Sequence, residues 1–214
     1  MTDEPHDADP DVRASRVTPQ QADSDTDDVQ ASLADLQVVT GTRGLPELLG
    51  RVAIYAANAI PGAEGAGVTL LPVGRPDHRV EELAASDPFV AQIDEIQYVT
   101  VNEGPCISAA LKRRTVRSGS LGGEKMWPRF GPQVGRLGIH SALSLPLLLP
   151  GQVVGAINVY ARGKDVFDDH AQQLGELFVA PAAVAVHNAH ILSQALTPAK
   201  QLQTALASVT PTSR

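Results

Sequence analysis

The spacing of apolar residues predicts two helices followed by two strands in the first half of the chain. Apolar side chains from Leu45 to Ile60 recur every three to four residues, and Pro61-Gly62 ends the pattern, so we expect an amphipathic helix. A weaker pattern of the same period predicts a helix over residues 29–40. Apolar residues 66–71 and mixed residues 80–86 then predict two strands, joined by a turn at residues 72–77.

The second half of the chain has the pattern of a β-hairpin between helices. Two apolar runs, residues 140–149 and 153–161, flank a Pro-Gly turn and predict the hairpin. Asp87-Pro88 is typical of a helix start. Short helices are therefore expected over residues 88–97, 105–113 and 128–137, with a short strand at Val116.

Residues from Asp168 onwards predict a long final helix. Apolar positions from Leu174 to Ala195 alternate in steps of three and four residues, which is heptad spacing. A proline removes a helical hydrogen bond, so we expect Pro181 to kink this helix and Thr197-Pro198 to interrupt it. A further helical pattern covers residues 200–208.

Charge is concentrated at the N-terminus. Of 24 acidic and 17 basic residues, nine acids and two arginines lie in residues 1–28, which therefore carry the whole net charge of −7. Such a segment buries too little apolar surface to offset ordering, so we expect residues 1–28 to be disordered. The remainder has no net charge, which argues against general nucleic-acid binding. We expect a folded domain at residues 29–196 and a C-terminal helical stub or linker at residues 197–214.

Cysteine content and hydropathy restrict the compartment and the chemistry. The single cysteine, Cys106, excludes an internal disulfide and a cysteine-rich zinc site. The N-terminus does not resemble a signal peptide, and the longest apolar runs are much shorter than the roughly 20 residues of a membrane span. We therefore expect a soluble cytoplasmic protein without a membrane partner. His187 and His190 could form a metal pair, but no third ligand accompanies them, so no metal site is expected.

Five segments of the chain form a recurring family pattern: GAGVTLL (65–71), EGPCISAALKRRTVR (103–117), GIHSALSLPLL (138–148), GQVVGAINVYA (151–161) and FDDHAQQLGELFVAPAAVAVHNA (167–189). Together they resemble the GAF domain, a small-molecule sensory module, over about residues 30–195. The resemblance implies an α+β fold with a central antiparallel sheet of five to six strands. The N- and C-terminal helices would lie on one face, with loops and short helices on the other.

The EGPC and PAAVA segments are similar to those of a narrower group, actinobacterial regulators in which a GAF domain precedes an ANTAR domain. ANTAR domains bind hairpin RNA and prevent transcription termination. The similarity continues through residues 202–208, but the RNA-binding body is missing from this sequence, so direct nucleic-acid binding is not expected. The resemblance implies a sensory domain for transcriptional antitermination control, either excised from a longer regulator or naturally separate.

The resemblance also implies a homodimer and a ligand pocket. The first and last helices would form the dimer through Leu33, Leu36, Leu174, Leu177, Val184 and Ile191. The pocket would be lined by Phe89, Ile93, Tyr98, Glu103, Cys106, Trp127, His140, Ser144 and Asn158. The alternative is a core filled by its own side chains, which would make the chain a ligand-free dimerisation module. The cofactor is not identified; His140 could ligate haem, as a histidine does in some GAF sensors, or could be an ordinary hydrogen-bonded side chain.

Cys106 follows the turn Glu103-Gly104-Pro105 at the start of a predicted helix. A helix N-terminus favours thiolate and would suit a redox sensor, whereas Glu103 acts against it, and a small buried apolar residue is the alternative. A similar segment occurs in free methionine sulfoxide reductases, which are catalytic GAF domains that use two or more cysteines. The segment before His140 holds no second cysteine, so we expect no enzyme and assign no catalytic residue.

Overall fold

The computed structural model describes residues 18–39, 44–71 and 80–208, with side chains described as far as Leu196. The turn expected at residues 72–77 and the first 17 residues lie outside this part of the chain. The helices are α1 (Pro19–Val39), α2 (Leu45–Ala59), α3 (Pro88–Asp94), α4 (Pro105–Lys112), α5 (Phe130–Arg136) and α6 (Asp169–Ser208), with a π-helix at Glu95–Val101 and a 3₁₀ turn at Leu121–Gly123. The strands are β1 (Gly65–Leu70), β2 (Glu82–Ala85), β3 (Val116–Ser118), β4 (Ser141–Leu149) and β5 (Gln152–Ala161).

The five strands form one antiparallel sheet in the order β2-β1-β5-β4-β3. The hairpin predicted around Pro150-Gly151 is confirmed, since β4 and β5 pair along their whole length. Gly151 occupies the turn with a φ of +81°, a conformation that glycine adopts at no steric cost. The α+β class and the antiparallel sheet of the sequence analysis are both confirmed.

Two layers of helices cover the two faces of the sheet. Alternate side chains of a strand point to opposite faces, so β1 sends Ala66, Val68 and Leu70 to one side and Gly65, Gly67 and Thr69 to the other. The first side packs against α1, α2 and α6 in the larger apolar core. The second side faces α3, the π-helix, α4 and α5, where a smaller core surrounds Trp127, Phe130 and Tyr160.

The prediction of a disordered segment at residues 1–28 is wrong for residues 19–28. The first helix begins at Pro19, not at residue 29. Asp25 explains the difference, because its side chain is buried against α6. It accepts one hydrogen bond from Gln21 in the same helix and one from His170 in α6. Its Oδ1 lies 2.8 Å from Nε2 of Gln21, and its Oδ2 lies 3.1 Å from Nε2 of His170. An acidic residue thus joins the packed interface, which composition alone does not reveal.

The expected interruption at Thr197-Pro198 is also wrong. Helix α6 continues for 40 residues and contains both Pro181 and Pro198. Pro181 lies on the exposed side of the helix, as does Leu177 one turn earlier, so water can satisfy the carbonyl that the proline leaves unpaired. No helix in the described ranges is long and apolar enough to cross a membrane.

Candidate functional site

A row of small and polar side chains crosses the sheet on the side away from α6. Gly67 of β1 pairs with Asn158 of β5, and Asn158 pairs with Ser144 of β4. Thr69 and Tyr160 flank this row on the same face, and all five residues are buried. Ser144 Oγ donates a hydrogen bond of 2.7 Å to Asn158 Oδ1. A polar surface therefore lies where an ordinary sheet would carry aliphatic side chains.

The π-helix places a second set of polar side chains over this row. A π-helix has a wider turn than an α-helix and is frequent at functional sites. Asp94 immediately precedes it, and Gln97 and Tyr98 lie within it. Tyr98 donates a hydrogen bond of 2.9 Å to Thr69 Oγ1, and Gln97 Oε1 accepts one of 3.1 Å from the backbone N–H of Cys106. These bonds hold the π-helix and the start of α4 against the sheet.

Five buried polar atoms between these layers have no hydrogen-bond partner in the described part of the chain. They are both carboxylate oxygens of Asp94, Nε2 of Gln97, Nδ2 of Asn158 and the hydroxyl of Tyr160. Almost all buried polar groups in proteins are hydrogen-bonded, and leaving one unpaired costs about 1–3 kcal/mol. Such atoms gathered in one place mark the candidate site.

The carboxyl group of Asp94 has an unusual titration. Burial raises its pKa from 3.8 to about 7, because water is excluded from the charged form. Asp94 in turn contributes to raising the pKa of the Tyr98 and Tyr160 hydroxyls, although burial is the larger cause for both. Asp94 therefore changes charge near neutral pH within a cluster of groups that remain neutral.

Cys106 lies in this cluster with its side chain fully buried. Burial raises the pKa of its thiol from 9.0 to about 11, although the side chains of Tyr98, Asn158 and Thr69 act in the opposite direction. The thiol is therefore protonated at neutral pH, and the helix start does not produce a thiolate. This agrees with the interpretation of Cys106 as a small buried residue and not with that of a reactive thiol.

Glu103 lies outside this cluster. Its Oε1 accepts hydrogen bonds from the backbone N–H groups of Arg129 and Phe130, at 2.8 and 3.1 Å, and Oε2 lies 3.2 Å from Nε of Arg129. These contacts lower the pKa of Glu103 even though burial opposes them. Glu103 thus caps the start of α5 and ties that helix to the loop before α4.

Four other expected pocket residues take no part in the hydrogen bonds of the polar cluster, although Ile93 and Trp127 belong to the smaller core that also contains Tyr160. Trp127 donates a hydrogen bond of 2.8 Å to Ser108 Oγ, and Ile93 packs in the smaller core. Phe89 lies under the guanidinium of Arg162, at 5.1 Å from its ring centre. His140 is half-buried just before β4, and its backbone pairs with Ala161 and Leu121. Of the nine residues expected in the pocket, the structure brings together Tyr98, Cys106, Ser144 and Asn158.

Five further residues of the cluster are not among those expected from the sequence: Gly67, Thr69, Asp94, Gln97 and Tyr160. The sequence pattern does indicate Asp94 and Gln97, because these polar residues occupy the positions i+4 and i+7 from Val90, on the apolar face of the predicted helix. A carboxylate at such a position must be paired or perform a function. Asn158 and Tyr160 likewise alternate with apolar residues in β5.

The residues expected at a dimer interface divide into two groups. Leu36 and Leu174 are buried in the larger core of their own chain, so they cannot form a dimer contact, and Leu33 packs partly against the same core. In contrast, Leu177, Val184 and Ile191 are exposed by 60%, 48% and 51%. The prediction is therefore wrong for Leu36 of α1, which packs in the core of its own chain, and for Leu174, because the heptad spacing of α6 contains one inward and one outward stripe.

No cluster of three or more metal-ligating side chains occurs in the residues that the structure describes. Nε2 of His190 lies 3.1 Å from Oε2 of Glu81, so this histidine contacts a carboxylate.

The family model of the GAF domain matches residues 42–187, and the chain belongs to this family. The matched region extends from just before α2 to the middle of α6 and contains the whole polar cluster. No curated protein sequence is significantly similar to the chain.

Solved structures share the fold at low sequence identity. The GAF domain of a phosphoenolpyruvate-protein phosphotransferase from Coxiella burnetii has a TM-score of 0.62 at 12% identity, covering 81% of this chain and 98% of that one. The corresponding domain from Acinetobacter has a TM-score of 0.59 at 15% identity, with coverage of 80% and 98%. A free methionine-R-sulfoxide reductase from Neisseria meningitidis, solved with its substrate, has a TM-score of 0.57 at 15% identity, covering 84% and 96%. The same fold thus occurs in GAF domains that are parts of phosphotransferases and in a methionine sulfoxide reductase.

Proposed function

We propose that this chain is a sensory domain, in which a small molecule binds between the sheet and the π-helix and changes the packing of α6. The single observation that carries the proposal is the set of five unpartnered polar atoms on Asp94, Gln97, Asn158 and Tyr160. A ligand that pairs these atoms would recover much of the free energy that their burial costs. Binding energy would thus be available to shift the protein between two states.

The connection from this site to α6 runs through β4. Ser144 faces the polar cluster, and the next residue, Leu145, faces α6. At Gly175 a side chain would meet Leu145 Cδ1 at 2.9 Å, so α6 packs closely on this strand. A ligand that moves Asn158 or Ser144 would therefore change the contact between β4 and α6 directly.

The signal would pass to a second copy of the chain. Leu177, Val184 and Ile191 are seven residues apart and form an exposed apolar stripe along α6, which is the pattern of a two-stranded coiled coil. We place the protein in the cytoplasm as a homodimer that supplies input to transcriptional control, as in the GAF–ANTAR regulators that it resembles. Output would depend on a separate nucleic-acid-binding partner or domain, because the domain has no net positive charge.

Enzymatic activity is the alternative that the fold permits, since methionine sulfoxide reductases share it. Two properties of Cys106 favour a sensor. It is the only cysteine of the sequence, so an internal disulfide cannot form, and its buried thiol has a pKa of about 11. A nucleophilic thiol needs a substantial thiolate fraction at working pH.

Native mass spectrometry and absorption spectroscopy of the freshly purified full chain test the proposal. We expect an adduct that is lost on denaturation, and a raised melting temperature when the same compound is added back. An absorption band in the visible range would instead identify haem, and His140 would then be the candidate haem ligand. A mass equal to that of the bare chain, with no change in melting temperature across a metabolite panel, would favour a ligand-free dimerisation module.

A further inference from the structure

The polar cluster contains one group that can carry a negative charge at neutral pH and no described group that neutralises it. Asp94 is 1% exposed, and burial is the only influence that shifts its titration, with no arginine, lysine or histidine contributing. Its ionisable neighbours are Tyr98, Tyr160 and Cys106, whose pKa values are all raised. A buried carboxylate without a cation is strongly unfavourable. A positively charged partner would stabilise the ionised form of Asp94 and satisfy both of its unpaired oxygens.

The hydrogen bonds of the two amides determine what else the site offers. Gln97 uses its oxygen to accept from the N–H of Cys106, and Asn158 uses its oxygen to accept from Ser144. The backbone N–H can only donate, so it fixes the orientation of Gln97, and the NH₂ groups of both amides are without a hydrogen-bond partner in the described residues. An NH₂ group can only donate, and the Cys106 sulfur beside Asn158 is a weak acceptor, so a ligand would pair Gln97 Nε2 and Asn158 Nδ2 best through an oxygen or nitrogen acceptor.

Both oxygens of Asp94 are unpaired, and each can only accept when the carboxyl group is ionised. A partner with two N–H bonds directed at one carboxylate satisfies both, as amidinium and guanidinium groups do. A protonated amine satisfies them with two of its three N–H bonds.

We propose that the site binds a small molecule that presents a protonated nitrogen with at least two N–H bonds to Asp94 and an acceptor oxygen to Gln97 and Asn158. The inference rests on the proposed function in requiring a ligand, and it adds the charge and the hydrogen-bonding pattern of that ligand. A neutral or anionic metabolite found in the site would leave the sensory function intact and would contradict this inference alone.

Three probes of nearly equal shape test the charge preference: acetamidinium, acetamide and acetate. Each has four non-hydrogen atoms, so affinities in the range of about 0.1–10 mM are expected from the limits of ligand efficiency. Titration of the ¹⁵N-labelled full chain, observed through the side-chain NH₂ signals of Gln97 and Asn158, gives the dissociation constants. At pH 8 we expect acetamidinium to bind at least tenfold more tightly than acetamide or acetate. At pH 5 its affinity should fall at least tenfold, because Asp94 is then protonated.

Two variants make the test specific. Asp94→Asn keeps the shape of the side chain and should abolish the preference for acetamidinium. Glu95→Gln removes a carboxylate from the adjacent exposed position and should leave the preference unchanged. The inference is overturned if acetate or acetamide binds as tightly as acetamidinium, if Asp94→Asn binds acetamidinium like the wild type, or if none of the three probes binds at 50 mM. In that last case the mass-spectrometric test still decides whether the protein has any ligand.

Discussion

The carboxylate of Asp94 lies against the backbone of Gly67. A Cβ atom placed on Gly67 would come within 3.1 Å of Asp94 Oδ2 and of Val90 Cγ1. Gly67 faces α3, and because it has no side chain it leaves the space that Asp94 occupies over the sheet, next to Asn158, which pairs with Gly67. A strand residue without a side chain and a buried acid from the opposite layer form one structural unit.

Gly67→Ala is expected to displace Asp94 by a few tenths of an ångström and to weaken acetamidinium binding several-fold. Overpacking costs about 1–3 kcal/mol, and the loss of glycine's conformational freedom in the unfolded chain returns about 0.5–1 kcal/mol. We therefore expect the free energy of unfolding in urea to fall by about 1 kcal/mol.

Gly50→Ala is the matched control, because this glycine lies in α2 and a Cβ there meets nothing within 4 Å. That change should stabilise the protein by about 0.5–1 kcal/mol and leave binding unaltered. Unchanged probe affinity in Gly67→Ala would show that the position of Asp94 does not depend on Gly67.

Asp94 makes the stability of the protein depend on pH in a defined direction. Its pKa is raised from 3.8 to about 7 on folding, so the folded state holds a proton that the unfolded state releases between these values. The free energy of unfolding therefore falls as pH rises from about 4 to about 7 and is constant above, by up to about 4 kcal/mol for this group. An Asn side chain cannot ionise and removes this contribution.

Urea unfolding of the wild type and of Asp94→Asn at pH 4.5 and pH 8 measures this effect. The variant should be more stable than the wild type by about 1 kcal/mol at pH 4.5 and by about 4 kcal/mol at pH 8. Glu95→Gln should follow the wild type at both values. A variant that is less stable than the wild type at pH 8 would mean that the charged carboxylate has a stabilising partner. A group that destabilises the fold at neutral pH is typical of a functional site.

The thiol of Cys106 should be almost inert in the folded protein. With a pKa of about 11, roughly one molecule in a thousand is thiolate at pH 8, against about one in four for a free cysteine. Modification by a disulfide reagent should therefore be at least 100-fold slower in the native protein than in urea, and burial adds to this difference. Comparable rates in the two states would indicate an accessible, activated thiol, and that result would support the enzymatic alternative.

The fold was predictable from the sequence because its elements follow simple periods. The helix from Leu45, the hairpin at Pro150-Gly151 and the Asp87 cap each depend on neighbours within a few residues, and each was confirmed. The first helix was not predicted from Pro19 because its start depends on the contact of Asp25 with His170, 145 residues away. Long-range contacts of this kind are not visible in local composition.

The candidate site was predictable only in part for the same reason. Tyr98, Cys106, Ser144 and Asn158 were named because the family resemblance covers their segments. Asp94 was missed because a carboxylate in an amphipathic helix is ordinarily exposed, and the π-helix that follows it is not visible in the sequence. Glu103 was expected in the pocket but caps α5, since its orientation depends on where the chain places Arg129 and Phe130.

Val184→Glu tests the proposed homodimer. Val184 lies at the centre of the exposed stripe, seven residues from both Leu177 and Ile191, and is 48% exposed in the single chain. A carboxylate there would be buried against its symmetry mate in a coiled-coil dimer, and two like charges at such a position are strongly unfavourable. We expect the wild type to have the mass of a dimer and the variant that of a monomer in light scattering at 10–50 μM.

The free energy of unfolding of the Val184→Glu monomer should depend little on the substitution, because the side chain does not enter the chain's own core. Ala91→Glu is the matched control, since Ala91 is exposed on α3 across the sheet from α6 and should leave the protein dimeric. A monomeric wild type would contradict the proposed dimer, and a dimeric Val184→Glu would move the interface to another surface. If the dimer is the output of the sensor, ligand-free Asp94→Asn and wild-type protein at pH 8 should differ in dimer dissociation constant, because Asp94 and α6 are connected through Asn158, Ser144 and Leu145.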